Sequence, residues 1–410
     1  MEHLSYRTKN IPTRAPIGIL ISICGAVIVG QIGRIPLNNQ GGGLLISDIV
    51  LVASLACGVI TMLLGIIPLQ GALKAPRVYV YTSLPFFLWV FAVLVYREYM
   101  LGVHSFLIAL LYALRLLAIS LLFPLLTCLV SARVAQKAFL WMYYMLIALG
   151  YAQLVVFPSL VGNINGWDPH IHRMVATWFD PNFFGAFIAM GILPALYWSR
   201  GNIAVLVASM SALALTGSRS SWIAVMIACI VVLFVYLLRG SLAPHWKKGV
   251  CIALLAGGIV CIAVAGIFSD RISHFFVHDP TVALRSAAYT ETWHRLVEPN
   301  MLFGVGYNAY QFSAKSAGLI RDFSIHSRAG SDNSGITLLV TTGIIGTMLF
   351  FLPFIVGVYW HGKQWLLHKR GQSLLFLWSL VVIIVHAQFE NSLLYPHLLM
   401  AFIIIAVATL

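Results

Sequence analysis

Residues 269–333 read SDRISHFFVHDPTVALRSAAYTETWHRLVEPNMLFGVGYNAYQFSAKSAGLIRDFSIHSRAGSDN, and the reading of this stretch decides the fold. It holds six of the 25 lysines and arginines and six of the 12 acidic residues, a charge density that hydrocarbon does not accept. On both sides the chain consists of one apolar run after another. Soluble chemistry therefore belongs to this interval, and the sequence implies a membrane enzyme whose active face is built around a loop.

The composition agrees. The chain is 410 residues long, 60% hydrophobic and 9% charged, with a mean hydropathy of +0.93; soluble globular chains carry about 25% charged residues. Backbone groups in a bilayer must be paired internally, which leaves helices or a closed barrel. Apolar runs of roughly 17–25 residues select helices, since barrel strands alternate over about ten. The class is an all-α polytopic membrane protein. All six cysteines fall inside apolar runs, where they read as small buried hydrophobes rather than a disulfide framework. The net charge of +13 lies at span ends, which excludes nucleic acid as its explanation.

Twelve transmembrane spans are expected, at about 17–33, 44–69, 78–96, 105–130, 138–160, 182–199, 203–215, 222–238, 249–268, 335–360, 372–388 and 394–410. The N-terminal run resembles a signal peptide with poor cleavage features and is read as a retained helix. Alternate connections carry Lys74 and Arg77; Arg133 and Lys137; Arg200; Arg239, Lys247 and Lys248; Lys363, Lys369 and Arg370. The intervening ones carry only Arg34, Arg97, Arg173 and Arg219. Positive residues mark the cytoplasmic side, so both termini are expected inside and the long loop outside, in the periplasm of a bacterial inner membrane. The expected organisation is one integrated membrane domain: spans one to nine over 1–268, the loop over 269–334 and spans ten to twelve over 335–410. Two helix starts are legible. Asp180-Pro181 offers an acidic cap followed by proline, and Asp279-Pro280 repeats it, opening an amphipathic helix over 281–298. On that helix Arg285, Tyr289 and Leu296 share one face, while Glu291, Arg295 and Glu298 face water. GVGYNAY at 304–310 reads as a glycine turn.

Three arginines lie on the expected outer face. Arg219, in TGSRSSW, combines a guanidinium with a small hydroxyl-rich turn that could cradle phosphate oxygens, or it snorkels to headgroups. Arg285 on the loop helix and Arg173 in HIHRMVATWFDPN could join it on a diphosphate, neutralising leaving-group charge without a metal. Taken singly, Arg285 also reads as a solvated surface residue. Candidates for a general base are Asp332, His326, His170 and His172. Asp332, in SDNSG, is at once a candidate base and an ordinary helix N-cap. His170 and His172 form H-x-H but lack a third ligand for a metal. Arg115, deep in an apolar run, must face protein or a cavity.

Four blocks in order, HRMVATWFDPNFFGAFIAMGILPAL (172–196), LALTGSRSSW (213–222), LRSAAYTETWHRLVEPNMLFGVGYNAY (284–310) and DNSGITLLVTTGIIGTMLFF (332–351), resemble the O-antigen ligase and polymerase superfamily. The resemblance implies a GT-C-like membrane fold and an inverting, metal-independent glycosyltransferase with no cofactor. Its donor would be a glycan on undecaprenyl diphosphate, and its acceptor another lipid-linked glycan or the lipid A core. By the same resemblance Arg219 and Arg285 stand where the family's diphosphate-binding arginines stand, and Asp332 stands at the general base. Ligases of the family show His-Asn where this chain has Asp332-Asn333, so the base is Asp332 or nearby His326, and the change favours a polymerase-like member. The competing class is a transporter such as a lipid-linked oligosaccharide flippase, against which stand the missing internal repeat and the scarcity of acids within the spans.

Overall fold

A computed structural model describes residues 14–36, 43–63, 74–160, 170–237, 280–319, 330–368 and 371–410. The helices are α1 (Arg14–Val29), α2 (Ile46–Leu63), α3 (Lys74–Leu129), α4 (Ala132–Val156), α5 (Pro181–Trp198), α6 (Ile203–Thr216), α7 (Arg219–Leu237), α8 (Pro280–Thr292), α9 (Tyr310–Ser316), α10 (Ser334–His368), α11 (Gln372–His386) and α12 (Pro396–Ala408). Two short antiparallel pairs complete it: β1 (Arg34–Pro36) with β2 (Gly43–Leu45), and β3 (Ser159–Leu160) with β4 (His170–Ile171).

The all-α membrane class is borne out. Eleven of the expected spans fall on helices; the ninth, 249–268, lies outside the described residues. Spans three and four are one continuous helical run, α3, interrupted only at Gly102 (φ 71, ψ 155). The chain doubles back there, which brings the tilted rings of Tyr79 and Phe123 to a centroid distance of 4.7 Å. Glycine alone takes this conformation without strain. Among the described residues six segments are long and apolar enough to cross a membrane, including both halves of α3, α4 and α10. Helices α11 and α12, of 15 and 13 residues, are shorter than the roughly 20 that a bilayer needs. Both are packed inside the protein, and α12 is buried along its length. Short buried helices leave room for irregular backbone lined by protein, the one place where such backbone is tolerated near a membrane. Residues 387–395 join these two helices.

The main core runs through the bundle around Trp178, Tyr143, Phe139, Phe184 and Phe187, all fully buried. The segment before α5 is tied to the end of α1, where Trp178 Nε1 donates to the Val27 carbonyl (3.0 Å) and Thr177 Oγ1 to that of Ile28 (2.5 Å). The start signal at Asp180-Pro181 holds: Asp180 Oδ1 accepts from the backbone N–H groups of Asn182 (2.7 Å) and Phe183 (3.2 Å). Asp279, its counterpart in the loop, lies outside the described residues, and α8 begins at Pro280 and runs on through a π turn to Val297. Its faces are those read from the sequence: Leu296 is buried, while Glu291, Arg295 and Glu298 are exposed.

The loop docks by its own small core, Leu296, Val297, Val305, Ala309, Tyr310 and Ala314 against Val340 of α10. The glycine turn is what fits it there. Val305 N–H donates to the Val340 carbonyl (2.8 Å), and Gly306 N–H to that of Thr341 (3.0 Å). Gly304 (φ +74) and Gly343 (φ +66, in the break of α10) lie so close that a Cβ on either would strike backbone of the other segment. Arg97 of α3 pins the same turn, donating to the Gly304 carbonyl (3.1 Å) and to Asn300 Oδ1 (2.9 Å). Gly343→Ala is therefore expected to cost about 2 kcal/mol or more of stability. Thermal unfolding in detergent checks it; an unchanged midpoint would mean that α10 closes its break without the loop.

Candidate active site

The site forms where four separate parts of the chain end at one face. Helix α8 brings Arg285, the start of α10 brings Asp332, the 387–395 segment brings Glu390, and the start of α5 brings Asn182. Arg285 Nε lies 3.1 Å from Asp332 Oδ2, and Arg285 Nη2 donates to Glu390 Oε1 at 3.2 Å. Asn182 Nδ2 donates to the same Glu390 oxygen (3.0 Å), and Arg173 Nη2 donates to Asn182 Oδ1 (3.2 Å). One polar chain thus runs Arg173, Asn182, Glu390, Arg285, Asp332. It joins two of the three arginines singled out from the sequence with the carboxylate proposed as base.

Asp332 can turn to Arg285 because it is not the cap of α10. The N–H of Ile336 is taken by Asn333 Oδ1 (3.0 Å), and Asn333 Nδ2 donates to the Gln388 carbonyl (3.0 Å). The capping alternative for Asp332 is thereby corrected: the residue after it starts the helix, and its own carboxylate pairs with the guanidinium. Tyr289, one turn beyond Arg285, donates from its hydroxyl to the Asp332 backbone carbonyl (3.0 Å). Burial, then the Asp332 charge, pushes the Tyr289 phenol up to about 12. It remains a neutral donor.

Glu390 is the residue that sequence reasoning missed. Its side chain is 11% exposed against 34% for Asp332. Burial first, then the nearby charges of Asp180 and Asp332, raise it well above the ordinary carboxylate range, against the pull of Arg285. Burial acts against the Arg285 charge, but Glu390 and Asp332 outweigh it and the guanidinium holds its proton more tightly than usual. A signal was present: Glu390 is the sole Asp or Glu in residues 371–410, set between two apolar helices.

Arg173 and Arg219 occupy a neighbouring position. Arg173 Nε donates to the Thr216 carbonyl (2.7 Å) at the end of α6, so it fastens the TGSRSS turn from beneath. Burial lowers the Arg173 pKa; Asp180 and Glu390 oppose this and Arg219 adds to it. The turn differs from a phosphate cradle. Ser218, Ser220 and Ser221 are buried, with Ser218 Oγ 2.8 Å from Ser221 Oγ and Ser220 Oγ 3.0 Å from His386 Nε2. The other ring nitrogen of His386 meets Ser392 Oγ (2.5 Å), so the hydroxyls knit α7 to the 387–395 segment. Arg219 itself stands exposed at the start of α7, as a surface cation beside Arg173.

A cavity of about 310 Å³ opens beside the ion pairs, lined by Asp332, Arg285, Glu390, Asp180, His170 and, on its far wall, Arg115 with Tyr112. Arg115 is a structural partner there: it pairs with Asp48 (2.5 Å), donates to the Gly43 carbonyl (2.9 Å) and lies over the Tyr112 ring, 4.5 Å from its centroid. His172 is exposed, and no cluster of three His, Cys, Asp or Glu side chains suited to a metal occurs among the described residues. His326 lies outside the described residues.

The arrangement can hold an anion on guanidinium groups at the end of apolar helices and keep a carboxylate within reach of it. The family model described as O-antigen ligase matches residues 204–351, which span α6, α7, the loop and the first half of α10 and include Arg219, Arg285 and Asp332. No curated protein matches the chain. The matched stretch carries three of the four sequence blocks on a multi-pass, all-α membrane fold, and over these residues the chain is similar to O-antigen ligases, which supports the resemblance to the O-antigen ligase and polymerase superfamily.

Proposed function

We propose that the protein is an inverting, metal-independent glycosyltransferase that moves a glycan from undecaprenyl diphosphate to an acceptor sugar hydroxyl on the periplasmic face of a bacterial inner membrane. The observation that carries this reading is the Arg285, Asp332 and Glu390 constellation on a cavity at the ends of apolar helices. An anionic leaving group on a lipid requires fixed cations at the membrane boundary, which stabilise the charge that develops as the bond to the sugar breaks. Arg285 would take the diphosphate oxygens, with Arg219 and Arg173 as the cations of the adjoining surface. Asp332 would accept the proton as the acceptor oxygen attacks the anomeric carbon; the bond from that carbon to the phosphate oxygen breaks, and its electron pair leaves on the diphosphate. Guanidinium groups in this role replace a divalent ion. The acceptor is a second lipid-linked glycan in a polymerase, for O-antigen or exopolysaccharide, or the lipid A core in a lipopolysaccharide ligase.

Reconstitution with a defined lipid-linked repeat unit, alone and with lipid A core, decides between these. Self-elongation is the polymerase result and transfer only to core the ligase result. Movement of the lipid-linked glycan across the bilayer without a new glycosidic bond would replace the transferase reading with the flippase.

Arg219, exposed at the start of α7, serves as a steering cation in this scheme. Arg219→Ala is expected to raise the KM for lipid-linked donor about three- to tenfold while leaving kcat near that of the wild type. Steady-state transfer at several ionic strengths checks it. A loss confined to kcat would move Arg219 into contact with the reacting diphosphate.

A further inference from the structure

Arg285 is held by two carboxylates that differ in how firmly they are fixed. Glu390 is buried, receives a second hydrogen bond from Asn182 and is bound through it to Arg173. Asp332 shares a half-exposed pair with the guanidinium, 35% and 34% exposed, and its carboxylate faces a cavity wide enough to admit an anion. Half-exposed ion pairs contribute little to stability. A diphosphate offers the same guanidinium more oxygens and more charge. The two partners of Arg285 are therefore unequal competitors against an incoming anion.

We infer that Glu390 is the fixed anchor of Arg285 and Asp332 its exchangeable partner: a diphosphate entering the cavity displaces the Asp332 carboxylate from Arg285 and so releases it to accept a proton. The inference rests on the transferase reading only for the chemistry after the exchange. While paired, the Asp332 oxygen that faces Arg285 is engaged and its negative charge is stabilised, which makes it a poor base. Once displaced, it loses the cation and stands near the bound anion, so it takes up a proton more readily. Among the described residues, Asp332 is coupled to Arg285 and Tyr289 of α8, Tyr310 of α9 and Glu390, and Arg115, His170 and Asp180 line the same cavity. Arg285 is the cation it pairs with at 3.1 Å. Donor binding thereby switches on the base, and an acceptor hydroxyl meets a competent base only when a donor is in place. Glu390 acts here as a positioning residue, keeping Arg285 in the cavity wall when its other partner leaves.

The test uses the full-length protein in detergent or nanodiscs with inorganic diphosphate as the probe, and needs no glycan transfer. Asp332→Asn removes the competitor while keeping shape, and is expected to bind diphosphate about two- to fivefold more tightly than the wild type. Glu390→Gln removes the other carboxyl equally close to Arg285, yet loosens the anchor, and is expected to bind no more tightly than the wild type. Titration calorimetry at mildly acidic pH in two buffers of different ionisation enthalpy should show proton uptake on binding to the wild type, in excess of that with Asp332→Asn. Equal tightening in both variants would reduce the effect to lost charge and overturn the exchange. Tightening in Glu390→Gln alone would assign it to the wrong carboxylate, and absence of diphosphate binding by the wild type would mean that Arg285 never leaves Asp332. Each of these results stands apart from transfer: a protein that shows the exchange but moves no glycan keeps this inference and loses the transferase reading.

Discussion

Arg285→Ala is expected to lower glycan transfer on the order of a hundred- to a thousandfold, the usual loss when one preorganised cation is removed from a developing anion. Arg285 contacts two of the three carboxylates that line the cavity, bonding Asp332 at 3.1 Å and Glu390 at 3.2 Å, whereas Arg173 reaches the same group through Asn182. Removing it takes from Glu390 the cation that holds its charge. Because burial already favours the neutral form of that carboxyl, it can answer by taking up a proton, and the fold should survive. Arg285→Lys supplies a point charge in place of a planar fork and is expected to restore only part of the activity. The measurement is turnover in proteoliposomes with defined lipid-linked donor, beside a size-exclusion profile of each variant. Product of normal length and yield from Arg285→Ala would remove this residue from the donor site.

Asp332→Asn should reduce transfer about a hundred- to ten-thousandfold, the range over which a positioned base contributes. The substitution is clean for a structural reason. Asn333, not Asp332, caps α10, so the helix start and the bond to Gln388 remain as they are. The backbone carbonyl that receives the Tyr289 hydroxyl is likewise untouched. A fall in kcat with a donor KM a few-fold lower is the expected pattern, since the carboxylate meets the acceptor proton and competes with the diphosphate for Arg285. Full activity would return the role to His326 or to no side chain. Paired with the tighter diphosphate binding expected of the same variant, the loss separates chemistry from binding in one protein.

Several elements of this site were legible in the chain itself. Arg285 and Tyr289 stand one helical turn apart on an amphipathic segment with a proline at its start, and that spacing alone places them on one face. Asp180-Pro181 announced a helix and delivered one, because an acidic side chain before a proline satisfies the first N–H groups of α5 through local contacts. The serines of TGSRSSW were harder. Their composition suits a phosphate cradle, yet packing turns them inward to His386, some 166 residues along the chain. A hydroxyl bonds whatever neighbour folding supplies, and composition does not say which.

Hydropathy, the rhythm of apolar runs and the capping signal at Asp180-Pro181 thus determined the membrane class and most helix positions, which depend on neighbours within a few residues, and the sequence singled out Arg285 and Asp332 as candidates. The partners of Arg285 were decided by tertiary structure alone. Glu390 lies 105 residues from it, between two short buried helices whose lengths leave space for irregular backbone, and no periodicity points from one to the other. The same holds for the choice between Asp332 and Asn333 as cap. Either side chain can bond a helix N–H, and only the approach of α8 with its guanidinium draws the carboxylate away and leaves the amide to start α10.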